Sequence, residues 1–321
     1  MAVDDKELED FMPSTELEWS ETAVARMKNV PFFVRKSVVR GIEQYAKDTG
    51  VSLIDDDVVS RARQEREGAA IEEARKKKSV KTEPQAEAPE KEITRQFVNF
   101  AFYKLDPAFR RLPEDRKKAA KKEFLEVLEE YDASNDMILL GYTMVGIRAD
   151  ADIMFWRISY DLEGFQKMTT RLYQTDLGSF LTPSYSYLSQ TKRSMYQDMF
   201  NPEHEEDRTH IIPGKAKYLF IYPFVKTREW YLLTQFSRQG IMDEHIYVGN
   251  KYPSVKLNTS YSFGIDDQEF VVAFETDYPD DFVDLVMELR ETQGSIYVER
   301  DTPIFTCVAN SLEDTVNSLG I

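Results

Sequence analysis

Residues 218–226, YLFIYPFVK, carry Tyr218, Phe220, Tyr222, Phe224 and Lys226 at one parity and Leu219, Ile221, Pro223 and Val225 at the other. Successive side chains of an extended chain point to opposite faces, so this alternation predicts a strand with one aromatic face that ends in an ammonium. QFVNFAFYKL, MILLGYTMVGI, ADIMFWRIS and SYSYLSQTKR read as strands in the same way, and so do SVKLNTSYSFGI, EFVVAFETD and IFTCVAN. Helical spacing of apolar positions instead marks EDRKKAAKKEFLEVLEEYDAS, DLEGFQKMTTRLYQTDLGSFL, WYLLTQFSRQGIMDEHIYVGNKY and DDFVDLVMELRETQ.

Placed in order, these segments spell β-α-β-β-α-β twice, over about 95–195 and again over about 211–321. The halves also align locally: VGIRADADIMFWRISYDLEGF lies on FGIDDQEFVVAFETDYPDDF with a one-residue gap. A recurring order implies a duplicated unit. The predicted fold class is α+β: two ferredoxin-like units forming a dimeric α+β barrel over 95–321, with a cavity between sheet and helices. Two independent α+β units without a shared sheet satisfy the same pattern.

Ahead of the barrel, residues 14–66 read as a small helical domain. Thr15 with Glu18 forms a capping-box pattern before LEWSETAVARMKNV, Gly50 stops a second helix, and IDDDVVSRARQEREG begins a third on aspartates. Residues 67–94, rich in charge, alanine and proline, have little to bury and read as a flexible linker.

The chain has 321 residues, enough for a sizeable core, and a formal net charge of −16. That charge argues against a nucleic-acid partner, whose phosphates require a basic face; the one dense basic run is RKKKSVK. No apolar run is long enough for a membrane span, and the acidic N-terminus lacks the pattern of an export signal. The single cysteine, Cys307, has no intramolecular disulfide partner and suits a reducing compartment, so a cytoplasmic location is expected.

Three histidines, without HExxH or CxxC spacing, give a protein-held metal cluster little support, and there is no Walker loop or GxGxxG. His245, near the end of a predicted helix, is either a structural or surface residue or an axial ligand to a haem iron; spacing alone does not choose. Tyr222 and Lys226 are either a core tyrosine and a snorkelling lysine or the wall of a site for a flat ligand bearing carboxylates. In the second case Arg208, Arg290 and Ser295 join as anion-binding candidates.

From about residue 95 onward the chain resembles the chlorite dismutase superfamily, and within it the coproheme decarboxylases. The carrying segments are LTPSYSYLS, YLFIYPFVKTREWYLL, MDEHIYVGNKY, SYSFGIDDQEF and DLVMELRETQGSIYV. The resemblance implies His245 as the proximal ligand to haem iron, Tyr222 as the radical-forming tyrosine that attacks propionates, and Lys226 as the lysine beside the second propionate. Arg208, His210, Arg290 and Ser295 fall on propionate-holding positions, His210 replacing a tyrosine, and Trp230 on a tryptophan of the haem surroundings. Leu257 falls on the distal position, held by arginine or glutamine in relatives, and Asn258 beside it is the polar group that a local rotation would bring in. The implied reaction is oxidative decarboxylation of two propionates of iron coproporphyrin to vinyls with hydrogen peroxide. A haem b-binding or sensing protein and a weak peroxidase are the alternatives, and a homopentamer is the implied assembly.

Residues 17–63 resemble the small helical C-terminal domain of the light-independent protochlorophyllide reductase B subunit, carried by Trp19, Ala23, Glu43, Ala46 and Gly50 among others. A protein partner for this module is expected at least as much as a tetrapyrrole.

Overall fold

The computed structural model describes residues 15–27, 30, 32–63, 65, 95–196 and 210–320. The chain divides into two compact units, Met1–Lys91 and Glu92–Ile321. The charged stretch 67–94 lies outside the described residues.

In the first unit, β1 (Glu18–Trp19) pairs in parallel with β2 (Leu53–Ile54). Helices α1 (Glu21–Met27), α2 (Phe32–Asp48) and α3 (56–63) pack around Ala23, Met27, Val39, Ile42, Ala46, Ile54, Val58 and Val59. The expected capping box is not where α1 begins. Residues 18–19 are extended, and the Ser20 hydroxyl caps the helix by accepting from the Ala23 amide at 3.2 Å. The physical reason is Glu43, 6% exposed, whose carboxylate accepts from the Glu16 and Leu17 amides and the Trp19 indole and holds that segment straight. Gly50, at φ +72°, ends α2 as the sequence predicts. Asp55 caps α3 through the Asp57 and Val58 amides.

The second unit is the duplicated fold. Its first half runs β3 (Phe97–Leu105), α4 (Glu114–Ala133), β4 (Met137–Thr143), β5 (Ile153–Ser159), α5 (Leu162–Gln174) and β6 (Leu181–Gln190). The second half runs β7 (Tyr218–Lys226), α6 (Arg228–Leu232), α7 (Gln235–Gly249), β8 (Lys256–Tyr261), β9 (Phe270–Thr276), α8 (Pro279–Glu291), β10 (Val298–Arg300), β11 (Phe305–Asn310) and α9 (Leu312–Asn317). The strand orders β6-β3-β5-β4 and β11-β7-β9-β8 are the same antiparallel arrangement. Pairing of β11 with β4 at three positions and of β6 with β8 at one, Gln190 with Tyr261, joins the two sheets edge to edge into a closed barrel.

Inward-facing Phe100, Phe102, Trp156, Leu219, Ile221, Val271, Phe305 and Cys307 fill the barrel. Outward faces pack against helices, α4 and α5 over the first half and α8 over the second. The single predicted helix over 230–252 is two, because Thr234 breaks it and caps α7 by accepting from the Ser237 amide at 3.1 Å. Gly141 lets α9 reach the sheet, since a Cβ there would lie 2.4 Å from the Thr315 hydroxyl.

Candidate functional site between sheet and helices

The outward face of β7 carries Tyr218, Phe220, Tyr222, Phe224 and Lys226, as the alternation predicts, with Leu219 and Ile221 inside the barrel. At about 3.3 Å per residue, the phenol and the amine stand on attachment points about 13 Å apart. They organise two neighbouring groups of side chains.

The first group centres on Tyr222, which is buried and stacked on Phe274 with ring centroids 5.9 Å apart. Arg290, in the last turn of α8, forms an ion pair with Asp301. Burial pushes the Tyr222 phenol up, with Asp301 adding to the shift and Arg290 opposing it, so the hydroxyl keeps its proton. A pocket of about 200 Å³ opens here, lined by Tyr222, Arg290, Ile304 and the α8 side chains Phe282, Val286 and Met287.

The second group centres on Lys226. Its ammonium donates to the Gly294 carbonyl at 3.1 Å and lies 4.5 Å from the centroid of the buried Trp230 ring. Burial pushes the amine down to about 8, against the pull of Glu269. Glu269, 9% exposed, accepts from the Lys226 amide at 2.8 Å and from the Tyr231 hydroxyl. Tyr297 and Tyr196 flank Trp230 at 5.4 and 6.3 Å. Ser295 lies in the adjoining turn, where its hydroxyl donates to the Thr292 carbonyl at 2.8 Å.

His245 is half-buried on α7 and shares a helix face with Ile241 and Val248. Val248 belongs to the Tyr222 core and Ile241 packs beside Gly294, so the histidine sits on an element in contact with both groups. Leu257, on β8, faces outward in register with Phe274. Asn258 faces the other way: its amide donates to Glu275 at 2.8 Å, and the strand's alternation keeps it off the Leu257 face. The expected rotation of Asn258 into the site is therefore not what the fold provides. His210 is exposed, 6.4 Å from the Tyr160 ring of the first half, apart from the residues above. Arg208 lies outside the described residues.

Sequence reasoning missed Asp301, Glu269 and Arg238. The first two read as ordinary acids in an acidic chain, and only the fold sets them against Arg290 and Lys226. Arg238, on α7, is half-buried, and its Nε is buried without a hydrogen-bond partner. Chemically, the face offers an apolar wall, a protonated phenol, a desolvated amine and an unsatisfied guanidinium N–H. Among the described residues no cluster of His, Cys, Asp or Glu is arranged to hold a metal ion, and no helix is long and apolar enough to cross a membrane. Cys307 is buried in the barrel, where desolvation pushes its thiol up and away from reactivity.

Comparisons with known proteins agree with this architecture. The chlorite dismutase family model matches residues 117–310, and the model of the protochlorophyllide reductase 57 kD subunit matches residues 19–63. The chain is 31% identical over 184 residues to a coproheme decarboxylase of Mycolicibacterium smegmatis, covering 56% of this chain and 75% of that one. A chlorite dismutase of Candidatus Nitrospira defluvii in complex with imidazole superposes with a TM-score of 0.64 at 24% identity, covering 70% of this chain and 95% of that one. A haem-binding protein of Thermus thermophilus gives a TM-score of 0.61 at 24% identity with the same coverage. With its family model spanning residues 117–310, more than half of the sequence, this chain belongs to the chlorite dismutase family.

Proposed function

We propose that the chain binds an iron tetrapyrrole between the second-half sheet and its helices, and that it acts as a coproheme decarboxylase. The observation that carries this reading is the pairing of a buried phenol with a desolvated amine on one strand face, in a family that includes such a decarboxylase. The half-buried apolar positions Phe224, Leu257, Phe270 and Val272 suit a flat ring, and the unsatisfied Arg238 N–H suits an acid arm. In this reading His245 ligates the iron, Trp230 and Leu257 border the ring, and Arg208, Arg290 and Ser295 hold propionates, whereas His210, exposed beside Tyr160, is left out of that set. When bound, the iron porphyrin supplies electron transfer to hydrogen peroxide.

The chain's own residues then have separate tasks. Tyr222, kept protonated by burial, is the hydrogen-transfer residue toward a propionate arm. Lys226 regains a full positive charge when a carboxylate lies beside it, because an opposite charge reverses the effect of desolvation. Each vinyl formed releases carbon dioxide, a proton and two electrons, and the electrons reduce peroxide to water. The test is incubation of the protein with iron coproporphyrin and peroxide, followed by mass spectrometry. Two successive losses of carbon dioxide are expected, and none from Tyr222→Phe that still binds the porphyrin; binding without mass loss in the wild type removes the assignment.

Leu257 favours a second reading, haem binding without turnover, because the side chain at the expected distal position is aliphatic and the neighbouring Asn258 amide is engaged with Glu275. Equal affinity for haem b and iron coproporphyrin, with no decarboxylation, would select it. Dye oxidation by peroxide that survives Tyr222→Phe would instead mark a peroxidase. A homopentamer and a protein partner for residues 15–65 complete the proposal, tested by light scattering and by pull-downs with and without the N-terminal unit.

A further inference from the structure

Among the described residues, the buried side-chain N and O atoms without a partner are the Trp156 indole, the Ser184 hydroxyl and Arg238 Nε. The first two are neutral. A buried donor on a permanently charged group is the costlier one to leave unmade, and it marks a position where an anion would be stabilised. Arg238 stands seven residues before His245, two helical turns along the same face of α7, about 10 Å away. Its guanidinium lies against Tyr196, whose phenol it draws down against the effect of burial. Tyr196 borders Trp230, and Trp230 borders the Lys226 ammonium. Arg238 thus closes a chain of contacts that starts at the amine of β7 and ends on the helix carrying His245.

We propose that Arg238 is an anchor for a carboxylate arm of the tetrapyrrole, an acid-binding position separate from Arg290 and Ser295 on α8 and its following turn. The proposal deepens the functional reading above and rests on it. One guanidinium edge stays with Tyr196, while the Nε edge takes the carboxylate, a geometry that a lysine at the same place does not reproduce. The groups around it are Tyr196 and Trp230, with Lys226 beyond the indole, so an incoming acid meets two cations, the farther of which already stands beside Glu269.

The test titrates wild type, Arg238→Gln and Arg238→Lys with iron coproporphyrin and with its tetramethyl ester, following the absorption spectrum. The expected result is a ten- to hundred-fold loss of affinity for the tetra-acid in Arg238→Gln, a charge-assisted bond's worth, with the ester unchanged within about twofold. Arg238→Lys should show a smaller loss, again confined to the acid. Unchanged affinity for the acid, or equal losses for acid and ester, overturns the proposal while leaving the functional reading in place. Failure of the wild type to bind either porphyrin removes both. If Arg238→Gln does not fold, the acid-to-ester affinity ratio of Arg238→Lys decides.

Discussion

The two halves of the barrel share one topology and differ in what lies between sheet and helices. β3 and β7 are both nine residues long and pair in matching register, so Asn99, Ala101, Tyr103 and Leu105 correspond to Phe220, Tyr222, Phe224 and Lys226. Similarly, Arg157 on β5 corresponds to Phe274 on β9. The first half is filled. Ala101, Leu105, Phe124, Phe155, Phe165 and Met168 are buried together, and its guanidinium, on Arg157, is satisfied by Asn99, Thr169 and the Phe165 carbonyl. The second half leaves Phe224, Leu257, Phe270 and Val272 half-buried, keeps a lysine out of water, and leaves Arg238 one bond short. Duplication supplied two equal frames, and one was packed for stability while the other kept an incompletely filled face. Departures from local packing rules often mark functional sites; the desolvated amine and the half-buried apolar face lie in the second half, while the first half has its own unpartnered groups in the Trp156 indole and the Ser184 hydroxyl.

The comparison breaks most sharply at His245. Replacement by alanine should abolish the absorption signature of a histidine-ligated iron on titration with haem b or iron coproporphyrin; an unchanged spectrum would mean that α7 is as structural as its first-half counterpart. Next in size, Ala101→Tyr places in the first half the side chain that the second half carries at that point. The filled core has no room for a phenol, so overpacking should lower stability by about 3 kcal/mol in urea denaturation. A neutral outcome would show that the first half also keeps space.

The reverse exchange, Lys226→Leu, copies Leu105 and should raise stability by roughly 2 kcal/mol at neutral pH by removing a desolvated charge. The sign follows from linkage. The folded-state pKa of about 8 lies below the unfolded value, so between those values the unfolded chain binds more protons and wild-type stability rises with pH. The advantage of Lys226→Leu should therefore be largest below about pH 8 and shrink above it, while affinity for acid-bearing porphyrins falls. Denaturation curves that differ by the same amount at every pH would detach the amine from this account.

The smallest effect is expected from Glu269→Gln. Without its carboxylate the Lys226 amine should fall further, so the pH above which acid-porphyrin affinity declines should move below about 8. A midpoint that stays in place would reduce Glu269 to a support for Tyr231 and the strand backbone.

Much of this was legible before the structure. Period-two alternation in residues 218–226 named the face shared by Tyr222 and Lys226, and the repeated element order named the duplicated unit, because both are properties of neighbouring residues; that the two sheets join into one barrel came from the pairing of β11 with β4 and of β6 with β8. Local signals were also where the reading slipped. The Thr15–Glu18 pair matched a capping box, but Glu43, from a helix later in the chain, holds that segment extended. Asn258 is the polar neighbour of Leu257 in sequence, but strand pairing fixes it on the opposite face, against Glu275.

What the sequence determined by itself is most of the barrel's strands and helices, their duplicated order and the chemistry available on the β7 face. Tertiary structure alone decided which of two equivalent faces is filled, that Glu269 and Asp301 stand beside Lys226 and Arg290, and that Arg238 is left with an unmade bond. Periodicity is written in residues a few positions apart, whereas coverage of a face depends on helices tens of residues away, and no local pattern records how closely they pack.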